Sequence, residues 1–122
     1  MIQRVQADHL ITMDEAGTIH SPGVLDHQDG KVIWSGPASD AGARSDIAVL
    51  RLPGVVMPGL VDIHCHTPMV ILRGAGEGLP VDRWLHEVMW PREAKLTAED
   101  VQSAMTLGAS ELLANGITTS VE

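Results

Sequence analysis

The chain has 122 residues, a formal net charge of −8 at pH 7 and an apolar fraction of 44%. This length suits one ordinary domain and hardly two complete ones, and the apolar fraction is sufficient for a packed core. The acidic balance excludes a basic nucleic-acid-binding face, and the apolar runs are too short to predict a membrane span. The single cysteine, Cys65, has no partner for an internal disulfide, which fits a cytoplasmic protein.

The first fifty-odd residues are predicted to form short β-strands. Residues 5–13 are rich in β-forming side chains, and a turn at residues 14–17 allows residues 18–20 to pair back as a hairpin. Asp29-Gly30, between two further β-rich stretches, predicts a second hairpin because glycine readily adopts positive φ. This β module has few large apolar residues, so we expect that it cannot close a core alone.

The character of the sequence changes after Pro53-Gly54. Residues 55–63 are almost continuously apolar, which is typical of a strand buried on both faces of a parallel sheet. Because proline cannot donate to a β-ladder, Pro58 places the start of this strand after Gly59. A glycine-rich loop follows, and residues 81–89 are predicted to form a short helix.

The clearest predicted helix covers residues 98–114. Thr97 can cap its first turn together with Asp100, and Asn115-Gly116 predicts its end. The β-branched residues 117–121 then predict a second strand, so that strand, loop, helix and strand form a βαβ unit. The apolar stripe expected along the helix comprises Val101, Ala104, Met105, Ala109, Leu112 and Leu113.

His64 and His66 form the sharpest chemical motif. If they lie in a strand, residues i and i+2 point to the same face, and Cys65 points to the opposite one as a structural residue. Two imidazoles on one face can bind a transition metal, and the carboxyl end of a buried strand is where α/β folds bind ligands. The alternative is a pair of surface histidines without a ligand.

Several motifs together resemble the metal-dependent amidohydrolase superfamily. Residues 58–66 are similar to the signature that opens the barrel of these enzymes, and residues 29–36 to the hairpin that precedes it. The order of motifs is most similar to the branch of methylthioadenosine/S-adenosylhomocysteine deaminases, other aminohydrolases of N-heterocycles and triazine hydrolases. The remaining matching motifs are Leu72-Arg73-Gly74, Leu79-Pro80, Trp84-Leu85, Trp90-Pro91-Arg92-Glu93 and Gly116-Ile117-Thr118-Thr119.

The resemblance implies an α/β fold with two parts. Residues 1–54 would be the N-terminal part of a composite β-sandwich, and residues 55–122 the first two strands of a truncated (β/α)8 TIM barrel. A complete barrel needs about 250 residues.

The resemblance also implies a set of site residues. His64 and His66 would bind one divalent metal, zinc or iron, and Trp84 and Glu93 would contact substrate, Glu93 towards ribose hydroxyls. The alternatives are a core tryptophan and a solvated glutamate at a helix end. Arg73 is interpreted as fixing a loop rather than binding an anion, and His86 as a surface residue.

The implied activity is metal-assisted hydrolysis of a C–N or C–halide bond on an N-heterocycle such as an adenosine derivative, guanine or triazine, with the metal lowering the pKa of water. The other metal ligands and the catalytic groups would lie beyond Glu122, so we expect an N-terminal fragment that is inactive and aggregation-prone or molten when isolated. Two alternatives are a non-catalytic binding or assembly module and a stand-alone metal-binding domain.

The expected partners follow from the same hypothesis. They are a small N-heterocyclic substrate and either a second copy of the chain or a complementing C-terminal segment. Nucleic acid and membrane are not expected.

Overall fold

A computed structural model describes residues 1–44 and 46–122, which form two compact units, Met1–Pro58 and Gly59–Glu122. The strands are β1 (Gln3–Ile11), β2 (Ile19–His20), β3 (Gly23–Gln28), β4 (Lys31–Pro37), β5 (Val49–Val56), β6 (Leu60–Asp62) and β7 (Ile117–Ser120). The helical segments are α1 (Val81–Arg83), a π-helical segment (Trp84–Met89), α2 (Trp90–Glu93), α3 (Ala98–Ala114) and the 3₁₀ segments Ala38–Asp40 and Thr67–Leu72. Among the described residues, no helix is long and apolar enough to cross a membrane.

The first unit is a five-stranded sheet built around β1. This strand pairs antiparallel with β2 and β3 and parallel with β5, and β3 pairs antiparallel with β4. Both predicted hairpins are present, and Asp29 and Gly30 have φ values of 50° and 76°, as a two-residue hairpin turn with positive φ requires. The buried apolar side chains of this unit are small or medium in size: Ala7, Leu10 and Val24.

Strand β5 continues through Pro53-Gly54, where the character of the sequence changes. Ala7 pairs with Leu52 and His9 with Val55, so the register between β1 and β5 shifts at Pro53-Gly54. Gly54 has a φ of 92°, and its N–H donates to the Asp8 carboxylate at 2.8 Å. A bulge of this kind tolerates a proline, which has no N–H to donate, because the ladder is already interrupted there.

The apolar run at residues 55–63 is therefore divided between two strands. Val55 and Val56 end β5 beside β1, whereas β6 begins at Leu60, after Gly59 as expected. Strand β6 ends at Asp62, because the next residues form a bend.

The second unit contains the predicted βαβ arrangement. Strands β6 and β7 are parallel, and α3 lies between them in the chain. Helix α3 has the predicted bounds, and the Thr97–Asp100 capping box satisfies N–H groups at its start. Gly116, with a φ of 78°, follows its C-cap.

Helix α3 buries a narrower face than its sequence predicts. Ala104 and Gly108 are buried, but Val101 is exposed and Leu113 is 64% exposed. Gly108 faces Thr67: a Cβ at this position would lie 2.8 Å from the Thr67 carbonyl oxygen. The absence of a side chain at residue 108 therefore allows α3 to approach the Thr67–Leu72 segment.

Candidate metal centre

His64 and His66 lie just beyond the carboxyl end of β6. The expectation that they are strand residues is wrong, since the strand ends at Asp62 and both histidines are exposed. The Asp62 carboxylate ends the strand by accepting the backbone N–H of His64 at 3.1 Å. This short polar side chain competes with the ladder for the N–H group, which is a common way to turn a chain.

The two imidazole rings nevertheless lie together. Their centroids are 5.2 Å apart, and the ring planes are perpendicular. Two imidazoles bound to one tetrahedral zinc at a Zn–N distance of about 2.1 Å have centroids about 5 Å apart. The spacing of the rings therefore fits two ligands of one divalent metal. In the described part of the chain, however, no three His, Cys, Asp or Glu side chains are grouped to hold a metal.

The segment that carries the histidines is attached to the end of β7. The Cys65 N–H donates to the Val121 carbonyl at 3.3 Å, and the Thr67 N–H donates to the Glu122 carboxylate. Hydrogen bonds from Thr67 and Cys65, together with nearby His66, hold the pKa of Glu122 below its ordinary value. Cys65 is half-buried and lines a cavity together with residues of α3, which agrees with its interpretation as a structural residue.

His66 also lines a pocket of about 330 Å³ beside the candidate metal centre. Glu93, half-buried at the end of α2, lines the same pocket, as does Glu122. The apolar part of the wall comes from Pro68, Met69, Leu96 and Val101. An imidazole, two carboxylates and an apolar wall suit a small polar ligand with an apolar portion.

Trp84 lies outside this pocket. Its indole N–H donates to the Ala75 carbonyl at 2.9 Å, and its ring lies against Gly76. The side chain is half-buried and fixes the glycine-rich loop. Its position therefore favours the interpretation of Trp84 as a packing residue over its interpretation as a substrate contact.

Arg73 and His86 have the places expected from the sequence. Arg73 forms an ion pair with Glu111 of α3 and so attaches its loop to the helix. His86 is exposed, packs edge-on against Trp90 and lies within hydrogen-bond distance of the Asp82 carbonyl.

Two carboxylates near the histidines were not identified from the sequence. Asp62 and Glu122 hold backbone groups of the segment that carries His64 and His66. Asp62 stands two residues before His64, so a local hydrogen-bond motif was available as an indication. Glu122 is 55 residues away from Thr67, and no local pattern relates the two.

The sequence profile of the amidohydrolase family matches residues 55–122, which include both histidines, α3 and β7. The chain belongs to the amidohydrolase family. The match covers more than half of the chain and all of the second compact unit.

Relatives within the amidohydrolase family cover the first unit as well. The chain is 36% identical over 119 residues to a 5-methylthioadenosine/S-adenosylhomocysteine deaminase of Symbiobacterium thermophilum. The matched region covers 94% of this chain and 27% of the relative. It thus spans about a quarter of the length of the curated relatives it matches.

Solved structures give the same picture. A zinc-bound adenosine deaminase from Xanthomonas campestris superposes with a TM-score of 0.89 at 29% identity, over 98% of this chain and 28% of that one. A triazine hydrolase from Arthrobacter aurescens superposes with a TM-score of 0.78 at 21% identity, over 98% of this chain and 28% of that one, and shows the shared fold. The chain therefore has the mixed α/β architecture of amidohydrolases.

Proposed function

We propose that the chain is the N-terminal portion of a metal-dependent hydrolytic deaminase. The observation that carries this proposal is the juxtaposition of His64 and His66 immediately after a parallel strand, with a ring spacing that fits one shared cation. Membership of the amidohydrolase family and a zinc-bound structural neighbour support a divalent metal, and we favour zinc over iron on the strength of that neighbour.

The fold hypothesis assigns each part of the chain a place in the larger enzyme. Residues 1–54 are the N-terminal part of a β-sandwich, and residues 55–122 begin a (β/α)8 barrel with β6 and β7 as its first two strands. The parallel pairing of β6 and β7 around α3 supports this assignment.

The substrate in this proposal is an N-heterocycle from which an exocyclic amine is removed. An adenosine derivative is favoured over guanine and triazines, because the relative with 36% identity is named a 5-methylthioadenosine/S-adenosylhomocysteine deaminase. Glu93 is the proposed substrate contact with the stronger structural support, since it lines the pocket that His66 also lines. Trp84 is also proposed to contact the substrate, and its indole N–H fixes the loop at Ala75.

The residues of this chain have limited chemical roles in the proposed reaction. His64 and His66 would hold the metal through neutral imidazole nitrogens, and the metal would supply Lewis acidity for hydrolysis of the C–N bond. Glu93 would orient the substrate by accepting hydrogen bonds from hydroxyl groups. Because the described residues provide no third ligand, we propose that turnover requires ligands and an acid–base group from residues outside this chain.

Metal titration of the 122-residue chain tests the proposal. We expect the chain, at a concentration where sedimentation shows a monomer, to bind Zn²⁺ or Co²⁺ at pH 7.5. His64→Ala and His66→Ala should each weaken binding by more than about tenfold, because each removes one of two ligands. His86→Ala is the matched control, since His86 is an exposed histidine paired with Trp90 and should leave the affinity unchanged.

Two results would contradict the proposed metal centre. One is a wild-type chain without measurable metal affinity both alone and with a complementing C-terminal segment, which would favour the non-catalytic assembly module; tight binding by the chain alone would instead favour the stand-alone metal-binding domain. The other is equal affinity in the wild type and the two single variants, which would place the metal elsewhere in the chain.

A further inference from the structure

We propose that Glu122 is a positioning residue for the metal centre: its carboxylate fixes the segment Ile63–Thr67, called here the histidine segment, so that His66 lies beside His64. This inference rests on the proposed function, because it concerns how the protein arranges the two expected ligands. It adds a residue on a different strand to the site.

The contacts of Glu122 are directed at the histidine segment. The backbone N–H of Thr67 lies 3.1 Å from one carboxylate oxygen and 3.2 Å from the other. The Cys65 thiol donates to the first of these oxygens at 3.2 Å. The residues on both sides of His66 are therefore held by one side chain.

Backbone hydrogen bonds extend this attachment in the direction of β6. The Val121 N–H donates to the Asp62 carbonyl at 3.0 Å, and the Cys65 N–H donates to the Val121 carbonyl at 3.3 Å. The histidine segment thus follows the end of β7 although it is no longer a strand. Glu122 supplies the next contact in this series through its side chain.

Thr67 explains why a hydrogen-bond acceptor is needed at this point. It begins the Thr67–Leu72 3₁₀ segment, so its N–H lacks a partner within that segment. The residue is also buried, with an exposure of 7%. A buried N–H without an acceptor is unfavourable, and an ionised acceptor makes a stronger hydrogen bond than a neutral one. Glu122 meets this requirement from the neighbouring strand.

The same contacts favour a positioning role over direct metal binding. Both oxygens of Glu122 face the Thr67 N–H, and the described residues form no group of three metal-binding side chains. Residues that orient metal ligands by hydrogen bonding commonly affect metal affinity by about 10- to 100-fold without contacting the metal. Glu122 acts on His66 through the main chain in this way.

The test compares Glu122→Ala and Glu122→Gln with Glu111→Ala in the 122-residue chain. Glu111 is a matched control because its carboxylate also fixes a loop of the second unit, through Arg73. We expect Glu122→Ala to weaken Co²⁺ binding about tenfold. Glu122→Gln retains one amide oxygen for the Thr67 N–H and should recover affinity to within about threefold of the wild type. Glu111→Ala should bind as the wild type does.

Two spectroscopic measurements separate this inference from the proposed function, and both are made in a Val61→Lys background, because a charge at this exposed position of β6 opposes self-association. The amide resonance of Thr67 should shift in Glu122→Ala in the absence of metal, and the Co²⁺ absorption spectrum should keep the same band positions in every variant that binds. Wild-type affinity in Glu122→Ala would overturn the positioning role, and so would an unchanged Thr67 resonance. Altered Co²⁺ bands in both Glu122 variants would make the residue a ligand and would also overturn it. A wild-type chain that binds no metal, alone or with a complementing C-terminal segment, would instead contradict the proposed function, while the Thr67 resonance would still test the contact.

Discussion

Arg4 and Asp26 form a buried ion pair between β1 and β3. The guanidinium makes two hydrogen bonds to the carboxylate, at 2.7 and 2.8 Å, and donates to the carbonyls of Ala41 and Gly42. These contacts raise the pKa of Arg4 and lower that of Asp26, the mutual hydrogen bond being the main cause for each. The buried ion pair joins two strands of a sheet that has only a small apolar core.

Removal of the Asp26 carboxylate should strongly destabilise the first unit. Asp26→Ala leaves the Arg4 charge buried without its partner, so we expect the free energy of unfolding to fall by about 3–5 kcal/mol. Urea denaturation followed by the indole NMR resonance of Trp34 reports on this unit. Asp46→Ala removes the partner of Arg44 at an exposed pair and should cost less than about 1 kcal/mol. Equal losses in both variants would contradict the importance of burial.

The same pair predicts a pH dependence of stability. The pKa of Asp26 is lower in the folded chain than the value of about 3.9 in an unfolded chain, so folding favours the ionised carboxylate. Its contribution is complete above about pH 5 and is lost as the pH falls through the lowered pKa. Urea titrations between about pH 2 and pH 6 should therefore show a steeper loss of stability in the wild type than in Asp26→Ala. Parallel curves would contradict this prediction.

At the level of secondary structure, α3 depends on a close approach to the Thr67–Leu72 segment. Gly108 provides the space, since a Cβ there would meet the backbone of Thr67. Alanine is the better helix former by about 1 kcal/mol, but overpacking against backbone costs about 1–3 kcal/mol. The steric effect is the larger one because the neighbouring atom cannot rotate away.

Gly108→Ala should consequently destabilise the second unit, by up to about 2 kcal/mol. The Trp84 indole resonance during urea denaturation measures this change. Ser103→Ala, at an exposed position of the same helix, should raise stability slightly through helix propensity alone. A stabilising effect of both substitutions would show that α3 does not approach Thr67 closely.

Local chemistry explains which elements were predictable from the sequence. The Thr97–Asp100 capping box fixed the bounds of α3, and the turn chemistry of Asp29-Gly30 fixed the β3–β4 hairpin, because these patterns involve residues a few positions apart. Strand β5 was not predicted to pass Pro53-Gly54, since its bulge depends on Asp8 in β1. The histidine pair was predictable as a motif, but its attachment to β7 depends on pairing across 55 residues.

Over the molecule as a whole, more apolar side chains are exposed than are buried in the core. Among the described residues, the buried apolar ones are Ala7, Leu10, Val24, Met89 and Ala104, and none with a large side chain is fully buried. In the second unit, exposure is 49% for Leu60, 60% for Val61 and 80% for Ile63. Apolar side chains on strands next to unpaired strand edges promote association between molecules.

We expect the isolated chain to self-associate at micromolar concentration and to bind the dye ANS. Val61→Lys should reduce both effects, because it places a charge on β6 at an exposed position. Val81→Lys is the matched control: Val81 is also exposed, at 70%, but lies on α1, so its effect should be smaller. Sedimentation velocity and ANS fluorescence measure these changes. A wild-type chain that remains monomeric and binds no ANS would contradict the prediction.

The attachment of the histidine segment to β7 has a consequence for the order of events during synthesis. The ribosome releases His64 and His66 long before Glu122, which is 55 residues from its partner Thr67. Domains form from the amino terminus as translation proceeds, so the first unit has time to form before the histidine segment is attached to β7. In the proposed metal centre, the two rings would therefore be held side by side only after α3 and β7 have formed.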